Sequence, residues 1–545
     1  MRYAPPIISL LLILSSTSIA QNAKRVSLGE MGFEGNDNSD ICASSLSTDG
    51  QFLAFDSFAT NLVALDYNRH ADVFVRDLEQ NTTVRVSLNS SGVEGSMAST
   101  APSISGDGRF IAFQSYADNL IINDQNFDED VFVHDRQSGQ TECISVGMFG
   151  RTGNGRSWSP VISADGHYVC FVSRASDLVS ADGNWNADVF VYDRWNGSME
   201  RISIDSNGVE ANSFSESASM SADGRVIAFC SHASNLVVED SNSRKDIFVH
   251  DRLYGDTMRV SLSETGNQAN DQSVEPSISA DGKWISFTSF ASNLHSLDTN
   301  GVSDIFLYDL ENSSIDLVRR GAGDKISTYP SSNSTLSADG RFMVFQSGAR
   351  NWASNDNNGV DDIYLYDRQL TTLERISVGE GDVEANWDCM RPSMNANASK
   401  VVYTTRADNL DDNNVDDDNN DKVDVYQYTR KNYTKVNSLI LCGNYQAEVG
   451  DGLRFAWFGA PLETAFWFYR SRNLNGVQYQ GHSFDLGHKL ILVSQGAMTT
   501  NTTGGFEIAS IPPAFAGKTL YFEFIVQDGR GGYLDSIVQE VHVML

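Results

Sequence analysis

The stretch Pro276-Ser277-Ile278-Ser279-Ala280-Asp281-Gly282-Lys283-Trp284-Ile285-Ser286-Phe287-Thr288-Ser289, followed by Asp304-Ile305-Phe306-Leu307-Tyr308-Asp309, is written seven times with substitutions along this 545-residue chain. Its Asp-Gly pair marks the register: Asp49, Asp107, Asp165, Asp223, Asp281 and Asp339 follow one another at steps of 58 residues, each with Gly after it. At the next step the pair has become Asn397-Ala398. An aromatic series moves with it, Phe55, Phe113, Phe171, Phe229, Phe287, Phe345 and Tyr403. Self-similarity at a fixed period signals a repeat architecture, so every other feature has to be read per repeat.

In the second copy, Pro102 to Ser105 is a short strand turned by Gly106-Asp107-Gly108, and Arg109 to Ser115 is a second. A loop from Tyr116 to Glu129 leads to a third strand, Asp130 to Asp135, and a fourth, Thr141 to Val146. Short Val, Ile and Phe runs broken by Asp-Gly or Ser-Gly are hairpin signals, and no segment carries a useful helical period. Four antiparallel strands in tandem make either an open solenoid or a closed propeller. A solenoid needs polar caps, but the last copy keeps its apolar strands. Arg25-Val26-Ser27-Leu28 also precedes the first copy and reads like a fourth strand, as in Arg85-Val86-Ser87-Leu88. A surplus fourth strand closes a ring, although Lys435 to Leu439 competes for the place. The expected architecture is an all-β, seven-bladed β-propeller of four-stranded blades over residues 21–439. A small β-sandwich over 440–545 follows, drawn from alternating runs such as Leu453 to Phe458 and Leu520 to Gln527. Its aromatic run Phe466-Trp467-Phe468-Tyr469 reads as core packing or as a carbohydrate-facing strip.

The units resemble the TolB-type, WD40-like propeller repeat in strand order, Asp-Gly turn and Asp-aromatic third strand, over residues 25 to about 438. TolB itself has six blades, so the count departs from it. The resemblance implies a propeller fold. It also implies protein–protein contact at the bacterial envelope, with gating or lyase roles where the repeat serves elsewhere. The 440–545 segment loosely resembles the C-terminal sandwich modules of secreted bacterial proteins.

Composition is that of a folded protein, 41% hydrophobic and 10% aromatic. A net charge of -32 excludes a nucleic-acid binder, which needs basic patches, and favours cationic partners. Residues 1–20 read as a secretory signal peptide: Arg2, the apolar run Ile7 to Leu14, then Ser18-Ile19-Ala20 before Gln21. No stretch reaches the roughly 18 apolar residues of a membrane span, so the expected location is periplasmic or extracellular. Six cysteines are too few for a disulfide scaffold, though Cys42 and Cys389 become neighbours if the first and last copies close a ring.

The most specific polar pattern lies between the second and third strands of every copy, Asp-x-Asn-x-x-x-Asp. Its members are Asp66, Asn68 and Asp72; Asp124, Asn126 and Asp130; Asp182, Asn184 and Asp188; Asp240, Asn242 and Asp246; Asp298, Asn300 and Asp304; Asp356, Asn358 and Asp362; and Asp418, Asn420 and Asp424. Spaced oxygen side chains on a tight loop suit Ca²⁺, although the Gly and Glu of an EF-hand are missing. The same residues also build turns by bonding their own backbone, and both readings stand on sequence. All seven loops would rim one face and make it acidic.

Catalytic patterns are scarce: there is no His-Glu-x-x-His, no Gly-x-Ser-x-Gly and no Walker loop. The row Leu46, Ile104, Ile162, Met220, Ile278, Leu336 and Met394 reads as a bland channel lining. The sequence therefore points to a secreted, monomeric, non-enzymatic scaffold presenting an acidic loop-lined face to a protein or glycan, Ca²⁺-stabilised in one version. The alternative is a secreted polysaccharide- or peptide-degrading enzyme with its site at the channel mouth.

Overall fold

The computed structural model describes residues 23–30, 32–122, 124–319, 326–353, 356–410 and 421–430, with only strand backbones between 445 and 544. The chain divides into two compact units, Met1–Arg430 and Lys431–Leu545. The first is a ring of seven four-stranded antiparallel sheets. Six sheets take their strands in chain order, as in the second blade: Ser99–Ile104 innermost, then Phe110–Ser115, Asp130–Asp135 and Gln140–Cys143.

The seventh sheet is the exception that closes the ring. Cys389–Met394, Lys400–Thr405 and Asp424–Thr429 receive Lys24–Arg25 as their outer strand, with Arg25 opposite Tyr426. Val26 N–H donates to Val425 O at 2.7 Å, and Ser27 Oγ donates to Asp424 Oδ1 at 2.6 Å. The surplus N-terminal strand is thus the closing one. Lys435 to Leu439 and the leader read over 1–20 lie outside the described residues. The sandwich expected over 440–545 falls where strand backbones alone are described.

Third strands such as Asp130–Asp135 are buried at every position, because blades cover both of their faces, while outer strands such as Gln140–Cys143 alternate between exposed and buried. Each blade is pinned through its middle by an aromatic pair across the second and third strands. The series runs from Phe55–Phe74 at 5.7 Å between centroids to Tyr403–Tyr426 at 6.3 Å. Such offset pairs add to the area they bury. The row from Leu46 to Met394 read as channel lining sits instead in these inter-blade cores, 5 to 8% exposed. Inner-strand residues before that row, such as Ser219, Ser277 and Thr335, line the channel mouth.

The Asp-Gly mark is structural. Ser105 Oγ donates to Asp107 Oδ1 at 2.7 Å, and Gly108 turns at φ 73°. A Cβ there would lie 2.3 Å from the Phe52 ring of the preceding blade. Arg136 lies over the same ring, its guanidinium carbon 4.4 Å from the Phe52 centroid, and donates to Gly108 O at 2.7 Å. Arg194, Arg252 and Arg368 repeat this latch on Phe110, Tyr168 and Trp284.

Cys42, Cys143, Cys170, Cys230 and Cys389 are free thiols, so ring closure rests on strand pairing without a Cys42–Cys389 bridge. No helix among the described residues is long and apolar enough to cross a membrane.

Candidate functional site: the loop face

Strand alternation puts the loops between second and third strands on the same end of the ring as the loops linking blades. Within the Asp-x-Asn-x-x-x-Asp loops the asparagine is fully used by the fold. Asn126 Nδ2 donates to Asp130 Oδ2 at 2.8 Å and to Gly153 O at 2.8 Å, while its Oδ1 accepts from Asp128 N–H at 3.0 Å. Asn68, Asn184, Asn242, Asn300 and Asn358 do the same. The turn-building role is thus what these asparagines perform, and it offers nitrogen rather than oxygen to the carboxylate.

The last aspartate of the motif folds inward. Asp72, Asp130, Asp188, Asp246, Asp362 and Asp424 are fully buried, and Asp304 is 1% exposed. Each of the six accepts from a serine two residues past the outer strand, such as Ser87 to Asp72 at 2.6 Å and Ser145 to Asp130 at 2.6 Å. Asp418 and Asn420, with the acidic residues from Asp411 to Asp417, lie outside the described residues.

Five blades place an arginine among these carboxylates. Arg85 Nη1 lies 3.6 Å from Asp66, 3.2 Å from Asp72 and 2.7 Å from Glu94. Arg375 repeats the trio with Asp356, Asp362 and Glu384 at 3.6, 3.3 and 2.9 Å, and Arg201 with Asp182, Asp188 and Glu210 at 3.9, 3.6 and 2.5 Å. Arg259 meets Asp240 and Asp246 at 3.2 and 3.4 Å, and Arg25 meets Glu34 and Asp424 at 3.0 and 3.6 Å. The oxygens of Asp66, Asp72 and Glu94, and those of Asp182, Asp188 and Glu210, lie within 4.8 Å of one another, close enough to hold one ion. A guanidinium already stands among them. Burial raises the Asp66 and Asp182 carboxyls to about 6.

Sequence reading missed these arginines because they are carried by five copies rather than seven. Cys143 and Leu317 take the place in the second and fifth blades. The signal was visible in outer-strand steps of the same 58-residue grid.

A second set of positions breaks the repeat. Inner strands carry a bulge whose residue is left-handed without being glycine: Ala101, Ser159, Ser217, Glu275, Asn333 and Arg391, at φ 50° to 56°. Side chains of the preceding blade hold these bulges. Asp56 accepts from Ala101 N–H at 3.1 Å, Gln114 from Ser159 N–H at 2.8 Å and Glu275 from Asn333 N–H at 3.0 Å. Their side chains differ from blade to blade at the mouth of the channel, a cavity of about 280 Å³ that also touches Ser219 and Pro392. Asp56, buried beside this mouth, has its carboxyl pushed up to about 7 by desolvation.

A third set lies at the loop tips. The residue after the motif's Asn turns left-handed in the second and third blades with a bulky aromatic, Phe127 at φ 58° and Trp185 at φ 59°, each 83% exposed. The fifth and sixth blades put Gly301 and Gly359 there. Trp185 walls a groove of about 390 Å³ with Trp158, Phe214, Arg174, Asn186 and Glu216. Arg156 lies over Trp158 at 5.0 Å, and Lys245 lies over Phe214 at 5.3 Å while pairing with Glu216.

No protein-family model and no curated protein matches this chain. Among solved structures, a TolB protein of Agrobacterium tumefaciens is similar at 14% identity and TM-score 0.35, over 66% of this chain and 98% of that one. The WD40 repeats of RRP9 are similar at 9% identity and TM-score 0.37, over 76% and 98%. An ancestral GH74 enzyme is similar at 9% identity and TM-score 0.28, over 95% and 85%. Strand order, the Asp-Gly turn and the ring seen here, rather than those scores, make the chain a seven-bladed β-propeller of TolB-like repeats.

Proposed function

We propose that this protein is a secreted binding scaffold whose loop face engages a protein or glycan in the aromatic groove of the third and fourth blades. The observation that carries the reading is Trp185: a bulky side chain held left-handed and largely exposed, walling a groove with Trp158 and Phe214. Left-handed backbone costs a non-glycine residue about 1–2 kcal/mol. The same left-handed position holds Gly301 and Gly359 in the fifth and sixth blades but Arg69 and Ser243 in the first and fourth, so the strain belongs to the loop, and what sets the third blade apart is the wall that Trp185 adds to the groove. Aromatic walls with a few charged and amide groups are the usual lining of a ligand groove. Secretion rests on the leader read in residues 1–20.

Trp185→Gly tests the reading. Glycine relieves the left-handed strain and is expected to stabilise the fold by about 1 kcal/mol, read as a higher thermal midpoint. The same change removes the groove wall. Trp fluorescence titrations against oligosaccharide and peptide panels should then show a saturable response in the natural chain that is at least tenfold weaker in the variant. Equal responses in both would sink the proposal.

The calcium-stabilised version of the scaffold draws on the Asp66/Asp72/Glu94 and Asp182/Asp188/Glu210 trios. There an ion must displace Arg85 or Arg201. The enzymatic alternative is favoured by Asp56, whose raised carboxyl suits general acid–base work. Turnover abolished by Asp56→Asn would establish it.

A further inference from the structure

At the end of the ring opposite the loop face, the turns between first and second strands are plugged by side chains, and one junction lacks the plug. Phe52, Phe110, Tyr168 and Trp284 press against the turn glycine of the following blade, so that a Cβ on Gly108, Gly166, Gly224 or Gly340 would lie 2.3 to 2.4 Å from the ring. Arg136, Arg194, Arg252 and Arg368 lie over those rings and donate to the carbonyl of the same glycine. Between the sixth and seventh blades Arg430 covers Phe342 at 4.0 Å. Between the seventh and first, Lys400 takes the ring's place and its ammonium donates to Gly50 O at 2.8 Å.

Between the fourth and fifth blades neither part is present: Val226 stands where the ring does and Leu310 where the arginine does. A Cβ on Gly282 would meet nothing closer than 3.4 Å. Among the described residues no donor meets Gly282 O. A cleft of about 360 Å³ opens there, lined by Val226, Gly282 and Leu310 themselves, with Val249 as a further apolar wall. An apolar cavity of about 150 Å³ is enough to take benzene, so the cleft has room for a ring and a short chain. Its rim carries Asp223, Asp251, Asp281 and Glu311 against Arg225 and Lys283. Both cations are engaged, Arg225 by the two oxygens of Asp251 at 3.0 and 2.7 Å and Lys283 by Glu311 at 2.6 Å. Asp223 and Asp281 each spend one oxygen on the serine hydroxyl and backbone N–H of their own turn. The rim therefore complements a positive charge.

We propose that this cleft binds a small arylalkylammonium ion, its ring against Val226 and Gly282 and its ammonium donating to Gly282 O. The ligand supplies the ring and the cation that the sister junctions carry in their own side chains. A two-carbon link lets the ammonium fold over its own ring, as the guanidinium carbon covers the ring at 3.5 to 4.4 Å in the sister junctions. Cation and ring then attract each other in the bound form. The cleft lies at the opposite end of the ring from the Trp185 groove and stands independently of that reading.

The test uses the whole chain and 2-phenylethylammonium chloride at low millimolar concentration, with ethylammonium chloride and 2-phenylethanol as the cation and the ring alone. Calorimetry and thermal shift should give saturable one-to-one binding of 2-phenylethylammonium, at least about fivefold tighter than 2-phenylethanol, and no saturable response to ethylammonium. Val226→Phe combined with Leu310→Arg, which rebuilds the sister plug, should abolish the response and raise the thermal midpoint of the free protein. Leu310→Arg alone serves should the double variant fail to fold, and it should weaken binding at least about tenfold by setting a like charge beside the ammonium. Trp185→Gly should leave the response unchanged. The proposal is overturned by an unsaturable response, by one retained in both plug variants, or by 2-phenylethanol binding as tightly as the amine. It is equally overturned by binding lost in Trp185→Gly, which would place the probe in the aromatic groove.

Discussion

At the scale of single residues, the repeat's most constant letters serve contacts between blades. Gly108 is fixed twice, by a left-handed turn and by the Phe52 ring 2.3 Å from where its Cβ would sit. Gly282 shares the turn at φ 71°, but its Cβ would meet Val226 and Ser221 no closer than an ordinary 3.4 Å. The two substitutions therefore separate the causes. Gly282→Ala should cost about 1 kcal/mol, the left-handed penalty alone. Gly108→Ala adds the displacement of Phe52 and should cost at least about 2 kcal/mol. Urea midpoints of the two variants check this, and equal losses would refute the packing role of Gly108. Ala398, at φ 54° in the seventh turn, shows that alanine is tolerated where the neighbouring Phe342 leaves room.

At the scale of the blade, an outer-strand arginine is the resident cation of the loop that precedes it. Arg375 is nearly buried, with its side chain 4% exposed, among Asp356, Asp362 and Glu384. Removing one partner of a buried ionic cluster strands the charges that remain, so Arg375→Ala should lose about 3 kcal/mol. Denaturant unfolding measures it, and a loss below 1 kcal/mol would mean that water already screens the cluster. The strand pattern of the blade was legible in the sequence, because period-two and fully apolar runs separated by Asp-Gly have one antiparallel solution. The loop was half legible. Asp66 and Asp72 announced a cation-binding geometry, but the chelator's partner is Arg85, 13 residues beyond Asp72 on another strand. Nothing in the local spacing of a motif reports a side chain that arrives from across a sheet. The channel row failed for a related reason: Ile104 and its equivalents alternate with Ser103, and only packing decides which of the two faces the neighbouring blade.

At the scale of the whole ring, the closed circuit turns many buried carboxylates into one pH-dependent stability. Burial raises Asp56, Asp130 and Asp304 to about 7, and Asp362 to about 6. An acid raised in the folded state binds more protons folded than unfolded, between the unfolded value of about 3.9 and its folded one. Its stabilising contribution is complete below the unfolded value and is lost as pH rises through the folded value. The ring should therefore gain stability as pH falls from about 7.5 to about 5. Asp135 acts in the opposite sense, since hydrogen bonds from Arg109 hold it well below the usual range. Stability carried by such groups is lost only in stronger acid, so the maximum should lie near pH 5. Thermal midpoints across this range measure the slope, and Asp130→Asn should flatten it between pH 5 and 7.5 by removing one of its steepest contributors. A midpoint that instead falls steadily from pH 7.5 to 5 would show that the buried carboxylates keep their charge.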